Sequence, residues 1–317
     1  MRNDEVHPMK GIHSSLALLL ALSISAFSQA KEPFSPMDLF KIAYAANPVV
    51  SPSGHVIAFD RVYMDVMTDS RRSDLWVIDN DGNNLRQISE GFDVVGPPAF
   101  TPAGDALAFV AVKDEQFNIV SQNLATGDRA KLGEDLAGPA NLSFSPDGKW
   151  LAFTMPVAYE PDTMGDIPTA PEGAKWAPPL VVETRHMYTL DGAGYLPFSC
   201  HQVFLISTEG GVAQQLTEGR TDYASALTWL PDSSALLLSA NIKSDVNRPL
   251  DTDIIRLDIQ TRELTPLTKQ LGPDSTPQIS PDGKRMAWIG NKYRRVEIQS
   301  QRLYTAALDG SDAREWA

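Results

Sequence analysis

Cysteine, histidine and basic charge are all scarce in this 317-residue chain. Cys200 is the only cysteine, so no intrachain disulfide can form and the fold must hold by packing alone. Lys and Arg number 27 against 40 Asp and Glu, a formal charge of −13. Binding nucleic acid needs a surplus of the opposite sign, so a nucleic-acid partner is excluded. The chain also lacks a G-x-S-x-G nucleophile elbow and a Gly-rich phosphate loop, so it carries neither an α/β-hydrolase site nor a nucleotide cradle. Of the five histidines, His7 and His13 lie near the N-terminus, and His55 follows a hairpin glycine. His186 and His201 have no His or carboxylate at ligand spacing, so no metal and no cofactor is expected. Cys200 and His201 are neighbours on a strand and point to opposite faces, which argues against a Cys–His dyad. The residues themselves thus carry no catalytic set.

The one long apolar run is N-terminal. Lys10 precedes "GIHSSLALLLALSISAF", which ends at Ser28-Gln29-Ala30. A basic residue, a short apolar core and a small-x-small exit predict an export signal over residues 1–30, with Met9 the more natural start. The run is too short to span a bilayer comfortably, and no membrane span is expected once it is removed. The mature chain, residues 31–317, is then periplasmic or secreted.

What is abundant is one hairpin. "SPSGHVIAF", "TPAGDALAF", "SPDGKWLAF", "LPDSSALLL" and "SPDGKRMAW" begin at Ser51, Thr101, Ser145, Leu230 and Ser280. Their prolines are 50, 44, 85 and 50 residues apart, the period of a propeller blade with one large insertion. Proline presets φ at the first corner, Asp or Ser bonds back to the local backbone, and glycine accepts φ > 0. The strand after each turn is apolar on both faces, as an inner blade strand must be. Further alternating segments such as "DLWVIDNDGNNLRQIS" supply outer strands. The pattern predicts an all-β β-propeller with five recognisable four-stranded blades. A β-sandwich is the alternative, but sandwiches do not repeat a signature at near-constant period. Residues 36–47 have helical spacing and predict a short N-terminal helix that caps the propeller edge.

The insertion, residues 156–200, interrupts the third blade. Its first half, Glu160 to Trp176, reads as loop and is followed by a proline-rich "APPL" at 177–180. Its second half gathers polar and aromatic residues before a "DGAGY" turn. That half is either ligand-facing or a self-packed extension of the blade. "NLS" at Asn141 fits a glycosylation pattern but lies within a core strand.

Three segments together resemble the N-terminal propeller of the prolyl oligopeptidase family of serine peptidases, in its acylaminoacyl-peptidase and dipeptidyl-peptidase branches. They are "PMDLFKIAYAANPVVSPSGHVIAF", "SDLWVIDNDGNNLRQIS" and "ETRHMYTLDGAGYLPFSCHQVFLIS". The hairpin signature alone is also that of TolB-type propellers. The resemblance implies a seven- or eight-bladed, substrate-screening propeller, of which the five blades are part, followed by an α/β-hydrolase domain, with peptide substrates. Only five blades are recognisable and no hydrolase segment is present, so no catalytic residue carries over. The chain reads as an incomplete propeller of such a peptidase that is marginally stable alone or needs its remainder. Its rival reading is a TolB-like scaffold that binds proteins on the propeller face. A sugar- or cofactor-dependent propeller enzyme is a third reading, and it lacks a clustered acid or metal pair. Glu183, Arg185, Tyr188 and Tyr195 are the candidate substrate contacts. A Glu can meet an α-amino group, and an Arg can fork onto a carboxylate or carbonyl.

Overall fold

The computed structural model describes residues 33–133, 136–162, 165, 168, 170–177, 182–243, 251–293 and 300–316. The expected export signal lies outside the described residues, as do parts of the insertion, including most of its "APPL" stretch. Among the described residues no helix is long and apolar enough to cross a membrane.

Contacts divide the chain after Ile42. On the N-terminal side Pro36–Lys41 forms a 3-10 helix. Its first turn is tied by Asp38, which accepts from the Ser35 backbone at 2.7 Å and from Lys41 Nζ at 2.6 Å. The helix is half as long as the sequence spacing predicts over 36–47. From Ala43 the backbone joins a strand, with Ala43, Tyr44, Ala45 and Ala46 paired to Tyr63, Val62, Arg61 and Asp60. A ladder whose partner lies up to twenty residues downstream overrides local helical spacing, which periodicity alone cannot register.

The second side, from Ala43 onward, holds five four-stranded antiparallel sheets. The first blade is β1 (Ala43–Val50), β2 (Val56–Asp65), β3 (Ser70–Asp79) and β4 (Arg86–Gln87). The second is β5 (Asp93–Phe100), β6 (Ala106–Lys113), β7 (Gln116–Asn123) and β8 (Arg129–Lys131). In the third, β9 (Ala140–Phe144) and β10 (Trp150–Ala158) come before the insertion, which holds its own hairpin of β11 (Thr189–Leu190) and β12 (Gly194–Tyr195). The blade then resumes with β13 (Ser199–Ser207) and β14 (Gln214–Gln215). The fourth blade is β15 (Thr228–Trp229), β16 (Ala235–Ala240), β17 (Asp253–Asp258) and β18 (Leu264–Pro266). The fifth is β19 (Asp274–Ile279), β20 (Arg285–Gly290), β21 (Arg302–Ala307) and β22 (Arg314–Trp316). Each sheet runs in sequence order from its first strand to its fourth. The repeated hairpin is therefore the first strand pair of every blade.

All five turns close by the same two backbone bonds. In the third blade Ser145 N donates to Trp150 O at 2.8 Å and Gly148 N to Ser145 O at 2.9 Å. The Ser145 hydroxyl donates to Asp147 at 2.6 Å and accepts from Trp150 N at 3.0 Å, and Ser280 repeats both bonds in the fifth blade. Glycine supplies the left-handed position at Gly54, Gly104, Gly148 and Gly283, while Ser233 takes it at φ 60° in the fourth blade.

Register decides which side chains pack between blades. Residues five and seven places after each turn proline face the preceding blade: Leu107 and Phe109, Leu151 and Phe153, Leu236 and Leu238, Met286 and Trp288. All eight are at most 2% exposed. Ile57 and Phe59 hold the same places in the first blade, opposite Ile78 and Trp76, and remain half-buried. Among the described residues no strand of the first blade touches a strand of the fifth. Among the described residues from Ala43 onward the sheets thus form an arc that no strand contact closes. Val50, at the end of β1 before the first turn, is 57% exposed for the same reason.

Candidate functional site

In an antiparallel four-stranded meander, the first and third turns lie at one end and the second lies at the other, with the link to the next blade. The repeated hairpins therefore share one face of the arc. The connections between second and third strands leave from the opposite face, including both roots of the insertion and the described ends of the 241–252 and 291–301 connections. It is the face where sequence has been added.

The root of the insertion is a ladder of charge and aromatic rings. Tyr159 leaves β10 and Phe198 enters β13, joined by Tyr159 N donating to Phe198 O at 2.8 Å. Their rings meet edge to face, with centroids 5.9 Å apart, an arrangement favoured by the ring quadrupoles. The Arg185 guanidinium lies 4.1 Å from the Phe198 centroid, and that of Arg220 lies 5.0 Å from Tyr159. Arg220 also donates to Asp162 at 2.8 Å and to the Glu160 carbonyl at 3.0 Å, pinning the outgoing arm. Arg185 pins the returning arm through the Pro197 carbonyl at 2.8 Å and the Leu196 carbonyl at 3.0 Å.

The four residues singled out from the sequence fall into two pairs. Glu183 and Arg185 bind each other as a fork, at 2.9 Å through Nε and 2.6 Å through Nη2. Those bonds hold the Glu183 carboxyl down at about 2. Tyr188 and Tyr195 flank the β11–β12 hairpin, their rings stacked with centroids 6.2 Å apart and an interplanar angle of 29°. Tyr195 is 83% exposed and Tyr188 42%. The hairpin is closed by Leu196 N donating to Tyr188 O at 2.8 Å. Gly192 and Gly194, at φ 80° and 71°, give the tight reversal that the "DGAGY" motif signals.

Cys200 and His201 diverge, as strand geometry requires. The Cys200 thiol donates to the Arg220 carbonyl at 3.1 Å, and burial pushes its pKa up to about 11, so it stays protonated. A thiol in that state is no nucleophile at neutral pH. His201 faces Asp222, with Nδ1 to Oδ1 at 2.9 Å and its backbone N–H on the same oxygen at 2.8 Å. The Asp222 hydrogen bond raises its pKa.

A second polar group, which the sequence did not reveal, sits at the same end of the fourth and fifth blades. Lys243 Nζ bridges Asp253 at 2.9 Å and Asp251 at 3.2 Å. Asp274, at the start of β19, is fully buried, and burial raises its pKa to about 6. Gln270 Oε1, close to this group, is buried without a hydrogen-bond partner. Among the described residues no group of three or more His, Cys, Asp or Glu has a geometry that would hold a metal.

The residues that build the insertion's root escaped sequence reading for one reason. Tyr159 and Phe198 are ordinary residues at strand ends, Arg220 lies in the loop between β14 and β15, and Arg220 meets Asp162 across 58 residues of chain. Only Arg185, inside a segment marked by its turn motif, gave a signal.

No family model matches the chain. It is 23% identical over 301 residues to dipeptidyl-peptidase 5 of Porphyromonas gingivalis, an alignment covering 91% of this chain and 43% of that protein. The chain thus spans about two fifths of the length of that relative. Among solved structures, acylaminoacyl peptidase from Pyrococcus horikoshii superposes at a TM-score of 0.64 and 16% identity, covering 87% of this chain and 40% of that one. TolB from Acinetobacter baumannii superposes at 0.50 and 17% identity, covering 98% of this chain and 60% of that one. The shared property is the fold: a β-propeller related at low identity to peptidase-associated and TolB-like propellers.

Proposed function

We propose that this chain is an exported binding propeller, which holds a protein or an extended peptide segment on its loop face and does no covalent chemistry itself. The observation that carries the reading is the asymmetry of the two faces. One face is five copies of a self-satisfied turn. The other bears the insertion, clamped at its root by two arginines and presenting exposed aromatic rings. A long connection inside a compact fold whose base is rigidly held while its tip stays exposed is suited to recognition. The N-terminal apolar run and the likeness to a TolB structure support an exported scaffold.

A second reading has its own support. The alignment with a dipeptidyl-peptidase runs through nearly the whole chain, and the insertion carries one of the segments by which the sequence resembles peptidase propellers. In that reading the propeller screens peptides for a catalytic domain carried on further polypeptide, and Glu183, Arg185, Tyr188 and Tyr195 face the peptide. Of these four, Tyr188 and Tyr195 have the exposure for direct contact, while Glu183 and Arg185 hold the hairpin that displays them.

The test is binding of fluorescein-labelled random-sequence peptides and of intact protein ligands to residues 31–317, followed by anisotropy and by calorimetry. Saturable binding that is lost when the insertion is replaced by a four-residue turn supports the reading. Binding that survives the replacement, or no binding of any peptide or protein, contradicts it.

A further inference from the structure

Resting on that reading, we propose that the hairpin tip of the insertion recognises basic side chains, Lys or Arg, of an extended peptide, by stacking them on the Tyr188–Tyr195 pair beside Asp191. Three observations converge. Two tyrosine rings are stacked on each other and left in water, with Met187 and Leu190, 52% and 47% exposed, on the same short hairpin. Such a surface takes either an apolar group or a cation over a ring face. The charge around it selects between them.

Among the described acidic side chains of the insertion, Glu183 is paired with Arg185 and Asp162 with Arg220, away from the tip. Asp191 lies in the Leu190–Ala193 turn that joins the two tyrosine-bearing arms. A purely apolar partner would desolvate the exposed Asp191 carboxylate with no compensating charge. A Lys or Arg side chain lays its methylene stem on the rings and offers its cationic head to Asp191, satisfying both. The same field attracts basic segments from a distance.

The hairpin is held ready for this. Arg185 ties the strand after the hairpin through the Leu196 and Pro197 carbonyls, and the Leu196 N–H closes onto Tyr188. The ring pair therefore needs little ordering when a ligand arrives.

The experiment compares two labelled nonapeptides of alternating Ala and Arg or alternating Ala and citrulline, identical in shape and differing in charge. At low salt the Arg peptide is expected to bind at least about tenfold more tightly than its citrulline twin. Tyr188→Leu with Tyr195→Leu should shrink that advantage to about threefold or less, while Tyr188→Phe with Tyr195→Phe should keep it, because the ring face remains. An unchanged melting temperature in both double variants shows that the chain has folded. Equal affinity for the two peptides, or an advantage indifferent to the Leu variants, overturns the basic-side-chain inference and leaves the binding propeller standing. Failure to bind either peptide overturns the inference alone; failure to bind any peptide of the random pool and any protein ligand overturns both.

Discussion

The Arg185 guanidinium lies 4.1 Å from the Phe198 ring centroid, at one end of a stack of contacts that passes through the edge-to-face Phe198–Tyr159 pair and ends with Arg220 over Tyr159. The stack joins the two arms of the insertion to each other before either reaches the blade. The insertion should therefore behave as one cooperative unit whose integrity depends on this stack. Arg185→Ala removes four side-chain hydrogen bonds and one ring contact. Cleavage within residues 160–197 by a dilute protease should accelerate about tenfold or more, while the global melting temperature moves by only about 2 °C. Equal losses in both would mean that the insertion and the blades unfold together.

The half-buried face of the first blade should show in mutational costs at one register position. Phe153 is fully buried between the second and third blades, whereas Phe59, its counterpart, is half-buried. Phe153→Ala should cost about 3–5 kcal/mol, and Phe59→Ala about 1–2 kcal/mol, in chemical denaturation. Equal costs would indicate that something covers Phe59 in solution.

Turn glycines separate backbone strain from contact. At Gly148, φ 72°, an added methyl group meets nothing, so Gly148→Ala should cost about 1–2 kcal/mol from the left-handed backbone alone. At Gly283, φ 69°, the same methyl would stand 2.9 Å from the Pro231 ring of the preceding turn. Gly283→Ala should therefore be the more damaging of the two in thermal melts. The opposite order would show that the turns do not pack on one another.

Stability should fall as pH rises through mild acid. Burial raises the Asp60 and Asp274 carboxyls to about 6 from an ordinary 3.8. The folded chain therefore binds more protons than the unfolded chain between those values. This contribution is fully present below about 4 and is lost as pH climbs through about 6. For Asp274, neighbouring Asp253 adds to the upward shift and Lys243 opposes it. Asp274→Asn should flatten the decline in denaturation midpoint between pH 4 and 7. A slope the substitution leaves unchanged would show that Asp274 ionises freely in the folded chain.

The blades were legible because each is a local event: proline, a polar residue and glycine at fixed offsets, then an apolar strand. Periodicity failed where the partner was distant. Residues 43–46 looked helical and became strand, because Tyr63, Val62, Arg61 and Asp60 complete their ladder. The candidate site was half legible. The turn motif led to Arg185, Tyr188 and Tyr195. The fork between Glu183 and Arg185, the ring ladder through Tyr159 and Phe198, and the Lys243 cluster all depend on contacts that a linear pattern does not encode.

Hydrogen exchange with a saturating bound peptide tests the account most directly, since the two faces of the arc make opposite forecasts. Protection should appear in residues 182–198 and 220–226 and be absent from the repeated turns at 51–55, 101–105, 145–149, 230–234 and 280–284. Protection confined to those turns, with the insertion unchanged, would contradict the assignment of the loop face as the binding surface.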